Sequence, residues 1–462
     1  MNIIIQQFGE KIITELEKVL DGVFSEGKGD ISEVIETLDK VFSEYGCKIV
    51  KHILEESDGM IREAAGRKKN WVIKQRDMEK GFITEFGEVR YKRTYYESKG
   101  DKGYTYLVDD HFGIDRYQRI DDNLTAKMIE YSKDHSYQRS ADLAVKKVNL
   151  TRQTVKNKIR KLGEVDNRNL DKAGEKKEVK RLYVEADEDH IALQSGNNTI
   201  AKLVYIHEGV EKEGSRNKLK NTHYFSGLYK DVEDLWLEVL DYIDANYKLD
   251  EIETIYLAGD GAAWILEGLN WLPRSKYVLD RYHLNKYILK ATGHMPKKRP
   301  QIWRALNIFD FNKTDKILKE IIKNTEKDTK RKAVKESRRY ILGNWGGIKI
   351  YKKDPYALGC SAEGHVSHVL SSRMSSRPLG WSKKGADQMA RLRAFKYNGG
   401  KKSDIKKLLE KKKKVKKLKL QTEKILEKGS KRSLYSNPKE TIPALKKGKV
   451  TGLFKALKAV SY

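Results

Sequence analysis

Apolar residues in the first part of the chain recur at steps of three and four, the period of a helix with one buried face. Phe8, Ile12, Leu16, Val19 and Val23 form one run; Ile31, Val34, Ile35, Leu38, Val41, Phe42 and Tyr45 form a second, continued by Ile49, Ile53 and Leu54. Residues 1–66 should therefore be packed helices without chemistry of their own. From Trp71 to about Tyr106 the texture turns β-branched and aromatic, with Phe82, Ile83, Val89, Tyr91, Tyr95 and Tyr96 among basic residues, so a small β module is expected over 67–116. Its Arg90, Lys92 and Arg93 read as the wet face of a half-buried strand, with phosphate contact as the other use. Helical period returns over 122–132, 140–148 and 152–162, broken at Asn149-Leu150 and ended at Gly163, with Thr151 placed to cap the third helix. That is the order of a helix-turn-helix, spanning 117–163. Val155, Ile159 and Leu162 would face its core. Arg152, Gln153, Lys156, Asn157 and Arg160 are the residue types that reach base edges and phosphates from a major-groove helix, although such a tri-helical unit is also a common structural element. The charged stretch 164–179 has no apolar period and reads as a linker.

The second half alternates strands and helices. Residues 181–187 enter as a strand that 191–194 continue past the acidic cluster Asp187-Glu188-Asp189-His190; 199–207 and the region 222–229 follow as two more. An amphipathic helix over 231–247 leads into Ile255-Tyr256-Leu257-Ala258, a buried strand that ends at Gly259-Asp260-Gly261. A helix over 262–269 and a second buried run, Tyr277-Val278-Leu279, end in Asp280. Three antiparallel strands, a helix and parallel strands carrying acids at their ends match the order of a ribonuclease-H-like core with a mixed five-stranded sheet over 180–290. Asp187 and Asp260 would then lie side by side, in the crevice outside the strand ends where ligands bind. The third helical stretch, about 284–339, supplies an all-helical insertion over 291–358, closed by a turn-rich link at Asn344-Trp345-Gly346-Gly347. In 359–396 Ser361 can cap a helix with Glu363 in its first turn and Arg373 and Arg377 beyond. A lone glutamate there ordinarily complements the helix dipole; here it also offers a third carboxylate among Gly, Ser and His residues of little packing value.

Composition narrows the partners. With 94 Lys and Arg against 66 acids in 462 residues, the formal charge is +28, which favours a polyanion. The excess is widely distributed, but it peaks in the tail 397–462, where eleven of the twenty residues 401–420 are lysine. A basic helix along phosphate backbones and a solvated extension are the two readings of that tail. Two cysteines, Cys47 and Cys360, exclude a disulfide framework or a cysteine-rich zinc module. No apolar run is long enough to span a bilayer, and the N-terminus lacks the pattern of a signal peptide, so a cytoplasmic location without membrane contact is expected.

The trio Asp187, Asp260 and Glu363, the last two 103 positions apart, resembles a DDE transposase. More closely, LYVEADEDHIALQ, YLAGDGAAWI, VLDRYHLNKYI and SAEGHVSHVLSSRMSSRPLGWS, in that order, resemble bacterial insertion-sequence transposases of the Lre type, akin to the Mutator-like group. The resemblance implies a ribonuclease-H-like catalytic domain with a helical insertion, two divalent metals held by Asp187, Asp260 and Glu363, and double-stranded DNA as partner, both element ends and target, bound by several copies of the chain. Relatives in the wider group have a small residue after the first acid, whereas Glu188 and Asp189 follow here. That leaves Asp187 and Asp189 as alternative first ligands, with Asp187 preferred as the acid that ends the strand.

The chemistry also stands on its own terms. In-line displacement at a phosphodiester builds charge on attacking and leaving oxygens, and two cations on hard oxygen ligands stabilise both, which points to Mg²⁺ or Mn²⁺ rather than zinc. Asp187 would bridge them, Asp260 and Glu363 would each hold one, and His283 would act beside the site or on flanking DNA, a satisfied histidine at a helix start being its other reading. Asp280 reads as a helix cap. Cleavage and strand transfer at element ends is the function expected; a non-catalytic helix-turn-helix regulator and a nuclease without strand transfer are the alternatives.

Overall fold

A computed structural model describes residues 31–100, 103–168, 174–214, 216–377 and 379–414, with scattered positions among the first thirty. The chain divides into two compact units, residues 1–406 and 407–462. Of the second, only 407–414 are described, and they are helical. Most of the basic tail and most of the first helical run at the N-terminus thus lie outside the described residues.

The second helical run and its continuation form one helix, α1 (Ile31–Glu63). Gly46 in its interior carries no Cβ because one would stand 2.6 Å from the Phe86 ring, at the tip of the hairpin that packs there. That hairpin is β1 (Trp71–Ile83) and β2 (Glu88–Ser98), antiparallel, with the short β3 (Tyr104–Thr105) beside β2. Along β2, Val89, Tyr91 and Arg93 are buried while Arg90 and Lys92 are exposed. Arg93 is therefore not on the wet face: with Lys80 it balances the charge of the buried Asp109, which also accepts from the Tyr91 hydroxyl.

Three helices follow, α2 (Asp122–Ser132), α3 (Tyr137–Ala144) and α4 (Arg152–Leu162). Asp121 caps α2 by accepting from the Leu124 amide at 3.0 Å. The middle helix starts and ends earlier than its apolar period implies, because Ser136 accepts from the Arg139 amide and Val145 turns extended. The link to α4 is consequently seven residues, 145–151, rather than a tight turn. Thr151 holds the cap position of α4, but its side chain makes no cap bond; the Gln138 side chain accepts from the Arg152 amide instead, at 3.0 Å. Val155, Ile159 and Leu162 are buried, as their spacing requires.

The centre of the molecule is a mixed α/β body around a five-stranded sheet in the order β10-β9-β4-β5-β8. Its strands are β4 (Arg181–Ala192), β5 (Asn198–His207), β8 (His223–Gly227), β9 (Thr254–Gly259) and β10 (Ser275–Leu279); β6 (Val210–Glu213) and β7 (Arg216–Leu219) form a separate hairpin between β5 and β8 that the apolar pattern does not reveal. β4 pairs antiparallel with β5 and parallel with β9, which pairs parallel with β10. One face is covered by α5 (Val232–Asn246), whose Leu235, Trp236, Val239 and Ile243 pack against Leu182, Val184, Ala186, Ile255 and Leu257. At ~25 cal/mol per Å², each of the fully buried Leu, Val and Ile side chains here contributes about 1.5–3 kcal/mol.

After β10 the chain runs through α6 (Arg281–Thr292), α7 (Arg299–Asn307), α8 (Phe311–Lys323), α9 (Asp328–Gly343) and α10 (Trp345–Lys353). They close around Leu284, Ile288, Ile302, Leu318, Ile321, Val334 and Ile341. The pair Gly346-Gly347 is the first turn of α10, not a loop. A Cβ at Gly347 would stand 2.6 Å from the Tyr277 ring and 2.9 Å from the Leu279 amide, so glycine lets the helix lie directly on β10.

The chain returns through α11 (Ala362–Val366), a π-helical turn at Ser367–Ser371, and α12 (Lys383–Tyr397). Arg393 of α12, 2% exposed, fastens three segments at once. Its guanidinium donates to the carbonyls of Val369 (2.6 Å), His368 (2.6 Å) and Lys133 (2.9 Å) and pairs with Asp134. Arg373 adds a bond to the Ser132 carbonyl at 3.1 Å, so the three-helix unit is docked on the sheet body through buried charge. Removing Arg393 strands four acceptors, and Arg393→Ala should cost about 3–5 kcal/mol in urea unfolding. A loss under about 1 kcal/mol would contradict this role.

Candidate active site

Side chains alternate across a strand, so Glu185, Asp187 and Asp189 share the face of β4 opposite the Leu182, Val184, Ala186 core. On β9, Tyr256 and Ala258 lie on that same side, and Asp260 continues their parity. Glu185 pairs with Ala258 and Val278 pairs with Ala258, so two residues further on Asp187, Asp260 and Asp280 stand abreast where three parallel strands end. The Asp280 amide donates to the Gly259 carbonyl at 2.8 Å, which holds this edge closed. Asp187 does not end its strand, however. Its parallel ladder with β9 stops at Glu185, while the antiparallel ladder with β5 runs on to Ala192 and Asn198. The crevice opens at Asp187 because one neighbour leaves and the other stays.

Each aspartate is held differently. Asp187 is 9% exposed, and burial pushes its carboxyl up to about 6 against a usual 3.8; the Glu188 amide at 2.8 Å and the charge of His283 pull it down, and Asp260 and Glu363 push it up further. Among the described residues no lysine or arginine pairs with Asp187, Asp260 or Glu363. Asp260 accepts from the Ala262 amide at 2.9 Å, and its carbonyl accepts from the Tyr340 hydroxyl of the helical insertion at 2.6 Å. Asp280 caps α6 through the Tyr282 amide at 2.9 Å, and its other oxygen meets His283 Nδ1 at 2.7 Å. That bond raises the His283 pKa against the effect of burial, and the charges of Asp187 and Asp260 raise it further. Asp189 is engaged elsewhere: the Ser375 hydroxyl lies 2.9 and 2.8 Å from its two oxygens. Between the two alternative acids, Asp187 is the one left open.

Glu363 is exposed in the first turn of α11 and acts on Asp187 electrostatically. Ser361 does not cap this helix. Its amide and hydroxyl donate to Glu185, at 2.5 and 3.1 Å. Glu185, 2% exposed, also accepts from the Tyr205 hydroxyl at 2.5 Å and sits 3.0 Å from His207 Nε2. Burial pushes this carboxyl up, but these partners prevail and hold it below its usual range. His365 adds a second clasp, stacked on Tyr205 with centroids 4.3 Å apart and bonded through Nδ1 to the Tyr224 hydroxyl at 2.9 Å. The Glu185 cluster was missed in the sequence; its signal is an acid on an inward position of a strand otherwise buried, two residues before Asp187. Among the described residues no three His, Cys, Asp or Glu side chains form a ready metal-holding group.

The residues proposed for DNA contact fall into three settings. Arg152, Gln153, Lys156 and Arg160 line a cleft between α4 and the sheet body; Asn157 is exposed and accepts from Gln153 at 2.9 Å. Arg377 is exposed. Arg373 is buried, its guanidinium 5.0 Å from the Trp381 ring centroid and 5.7 Å from that of Tyr137, at the floor of the same cleft and not on an open surface. Among the described residues no helix is long and apolar enough to cross a membrane.

Two outcomes follow for stability. Glu185→Gln should cost about 2–4 kcal/mol in denaturant unfolding because buried donors lose a charged acceptor, whereas Glu363→Gln on the exposed turn should stay within about 0.5 kcal/mol. Equal effects would remove the distinction between them. The folded state keeps the Asp187 proton to higher pH than the unfolded chain does, so this carboxyl costs stability as pH rises from about 4 to about 6, and the cost is complete above that range. Asp187→Asn should therefore stabilise the metal-free protein near pH 7.5, by up to about 3 kcal/mol, and leave it unchanged near pH 4. Calorimetric melting at the two pH values checks the difference; the same change at both would contradict it.

Comparison with known proteins places the chain. The model of the uncharacterised protein family UPF0236 matches residues 27–413. A UPF0236 protein of Caldanaerobacter subterraneus subsp. tengcongensis is 43% identical over 463 residues, covering 100% of this chain and 99% of the relative. Another from that strain, whose name carries eleven designations, is 43% identical over 460 residues, covering 99% of this chain and 97% of its own length. A Streptococcus gallolyticus relative, described as a UPF0236 protein in the vanSb 3' region, is 26% identical over 404 residues, 84% of this chain and 86% of its own. The chain belongs to the UPF0236 family.

Proposed function

We propose that the protein is a DNA transposase of an insertion sequence, with a ribonuclease-H-like core that cuts and joins strands through Asp187, Asp260 and Glu363. The observation that carries this reading is the site itself. Two aspartates stand abreast where the parallel pairing of β4 with β9 stops, a third carboxylate lies within electrostatic reach of Asp187, and burial has raised Asp187 to about 6 with no lysine or arginine to neutralise it among the described residues. A protein gains nothing in stability from such a group, and strongly perturbed carboxylates in a crevice are where acid chemistry or cation binding is found. The sheet order, with antiparallel β8, β5 and β4 followed by parallel β9 and β10, supports the core assignment. The relative with eleven designations in one strain supports a mobile gene, since a sequence that copies itself accumulates in one genome.

The donor set is all carboxylate oxygen, which suits Mg²⁺ or Mn²⁺. When bound, two such ions would stabilise the attacking and leaving oxygens of an in-line displacement. Asp187 and Asp260 would hold them from the sheet, fixed by strand register and by the Tyr340 hydroxyl on the Asp260 carbonyl. Glu363, exposed on its turn, would complete the set by movement of its own side chain. His283, held by Asp280 and favoured in its charged form, would place a positive charge beside the aspartates and the scissile strand. The basic surface and α4 would bind the DNA.

The test uses purified full-length protein and a plasmid carrying its gene with flanking DNA on both sides. Nicking at the element boundaries should require Mg²⁺ or Mn²⁺ and should fall to background in Asp187→Asn, Asp260→Asn and Glu363→Gln, with unchanged circular dichroism. His283→Ala should lose about 10–100-fold, as groups that orient a metal site do. Undiminished cleavage in all three acid variants would sink the assignment.

A further inference from the structure

The cleft between α4 and the sheet body, about 530 Å³ in volume, has features that neither the three acids nor a duplex-reading helix uses. Its size is that of a small-molecule site. One wall is α4, with Arg152, Lys156 and Arg160; the other is formed around Trp381 and the start of α12. No aspartate or glutamate lines it among the described residues. Tyr137 and Trp381 both line it and meet each other edge to face, with centroids 6.2 Å apart. Gln388 also lines it, wholly buried, and neither its amide oxygen nor its amide nitrogen has a hydrogen-bond partner. An unpartnered buried amide costs on the order of 1–3 kcal/mol, so a chain that keeps one beside a cavity is equipped to bond something that enters.

We infer that this cleft receives one unpaired nucleotide of DNA, its base beside Trp381 and Tyr137 and bonded by the Gln388 amide, its phosphates held by Arg152, Lys156 and Arg160. Each feature answers one part of that ligand. Cations without acids fit the phosphates, aromatic rings fit the face of a base, and an amide with donor and acceptor free fits a base edge. A bare anion would use neither ring nor amide, and a duplex does not enter a cavity of this volume. The position fits as well. Leu193 bridges to Trp381, and the Gln194 amide donates to the Trp381 carbonyl at 2.9 Å, so the cleft sits at the far end of the strand that carries Asp187. Five residues of extended strand, from Asp187 to Ala192, span roughly 17 Å, the length of about five stacked nucleotides.

This inference rests on DNA being the substrate, and the test separates the two. Fluorescence anisotropy with the full chain compares a labelled perfect duplex with the same duplex carrying one extrahelical adenine, and dAMP serves as competitor. The wild type should bind the bulged duplex roughly tenfold more tightly than the perfect one. Gln388→Leu, which replaces an unpartnered amide by an apolar group of similar size and should fold at least as well, should shrink that preference to less than about threefold while leaving perfect-duplex affinity unchanged. Equal wild-type affinity for both duplexes, or a preference intact in Gln388→Leu, overturns the nucleotide site and leaves the transposase reading standing. No binding to either duplex overturns both. Displacement of the bulged duplex by dAMP at matching affinity would assign the cleft to a free nucleotide and overturn the DNA proposal.

Discussion

Burial of the Asp187 carboxyl in a crevice it shares with a second acid is the constraint on which the sheet body depends. The β4–β9 register makes Asp187 and Asp260 neighbours, and burial leaves Asp187 reluctant to ionise. Folding does not favour this arrangement; it is carried by the apolar packing on the other face of the same strands, where Leu182, Val184, Ala186, Ile255 and Leu257 meet α5. One strand therefore performs two opposed tasks, and alternation of side chains keeps them apart.

The second organising feature is how the late segments of the chain are fastened to the early ones. Glu185 grips the Ser361 backbone, His365 stacks on Tyr205, and Arg393 and Arg373 reach the carbonyls that end α2. These are charged or polar bonds in buried places. Such bonds are costly to leave unmade and tolerate little displacement, so they specify position more than they add net stability. The exposed acid on α11 is thereby tied to β4, the strand that carries Asp187, although among the described residues its own side chain is left unbonded. Tyr340 serves the same end from the helical insertion, linking the Asp260 carbonyl to a separate apolar core.

Much of the fold is legible in the residues themselves. The strands at Asn198–His207, Thr254–Gly259 and Ser275–Leu279 announce themselves as apolar runs bounded by glycine or acid, and α2 and α4 by helical period. The departures from the local pattern have causes elsewhere in the chain. Gly346-Gly347 resembles a turn, yet serves close approach of α10 to β10; Arg93 resembles a surface cation, yet has a buried partner in Asp109; Ser361 resembles a cap, yet its donors are drawn off by Glu185. Each is a case where a distant group outbids the local preference.

Chain order and periodicity determined which segments are helix or strand and that Asp260 and Asp280 directly follow strands, because side-chain alternation and helical period are written in consecutive residues; that β4 runs on past Asp187 to Ala192 they did not. Which face each acid takes, which of Asp187 and Asp189 stays open, and that a cleft closes between α4 and Trp381 were decided only in three dimensions. Those outcomes depend on contacts between residues far apart along the chain, such as Ser375 with Asp189 and Arg373 with Ser132, and no local pattern encodes a partner at that distance.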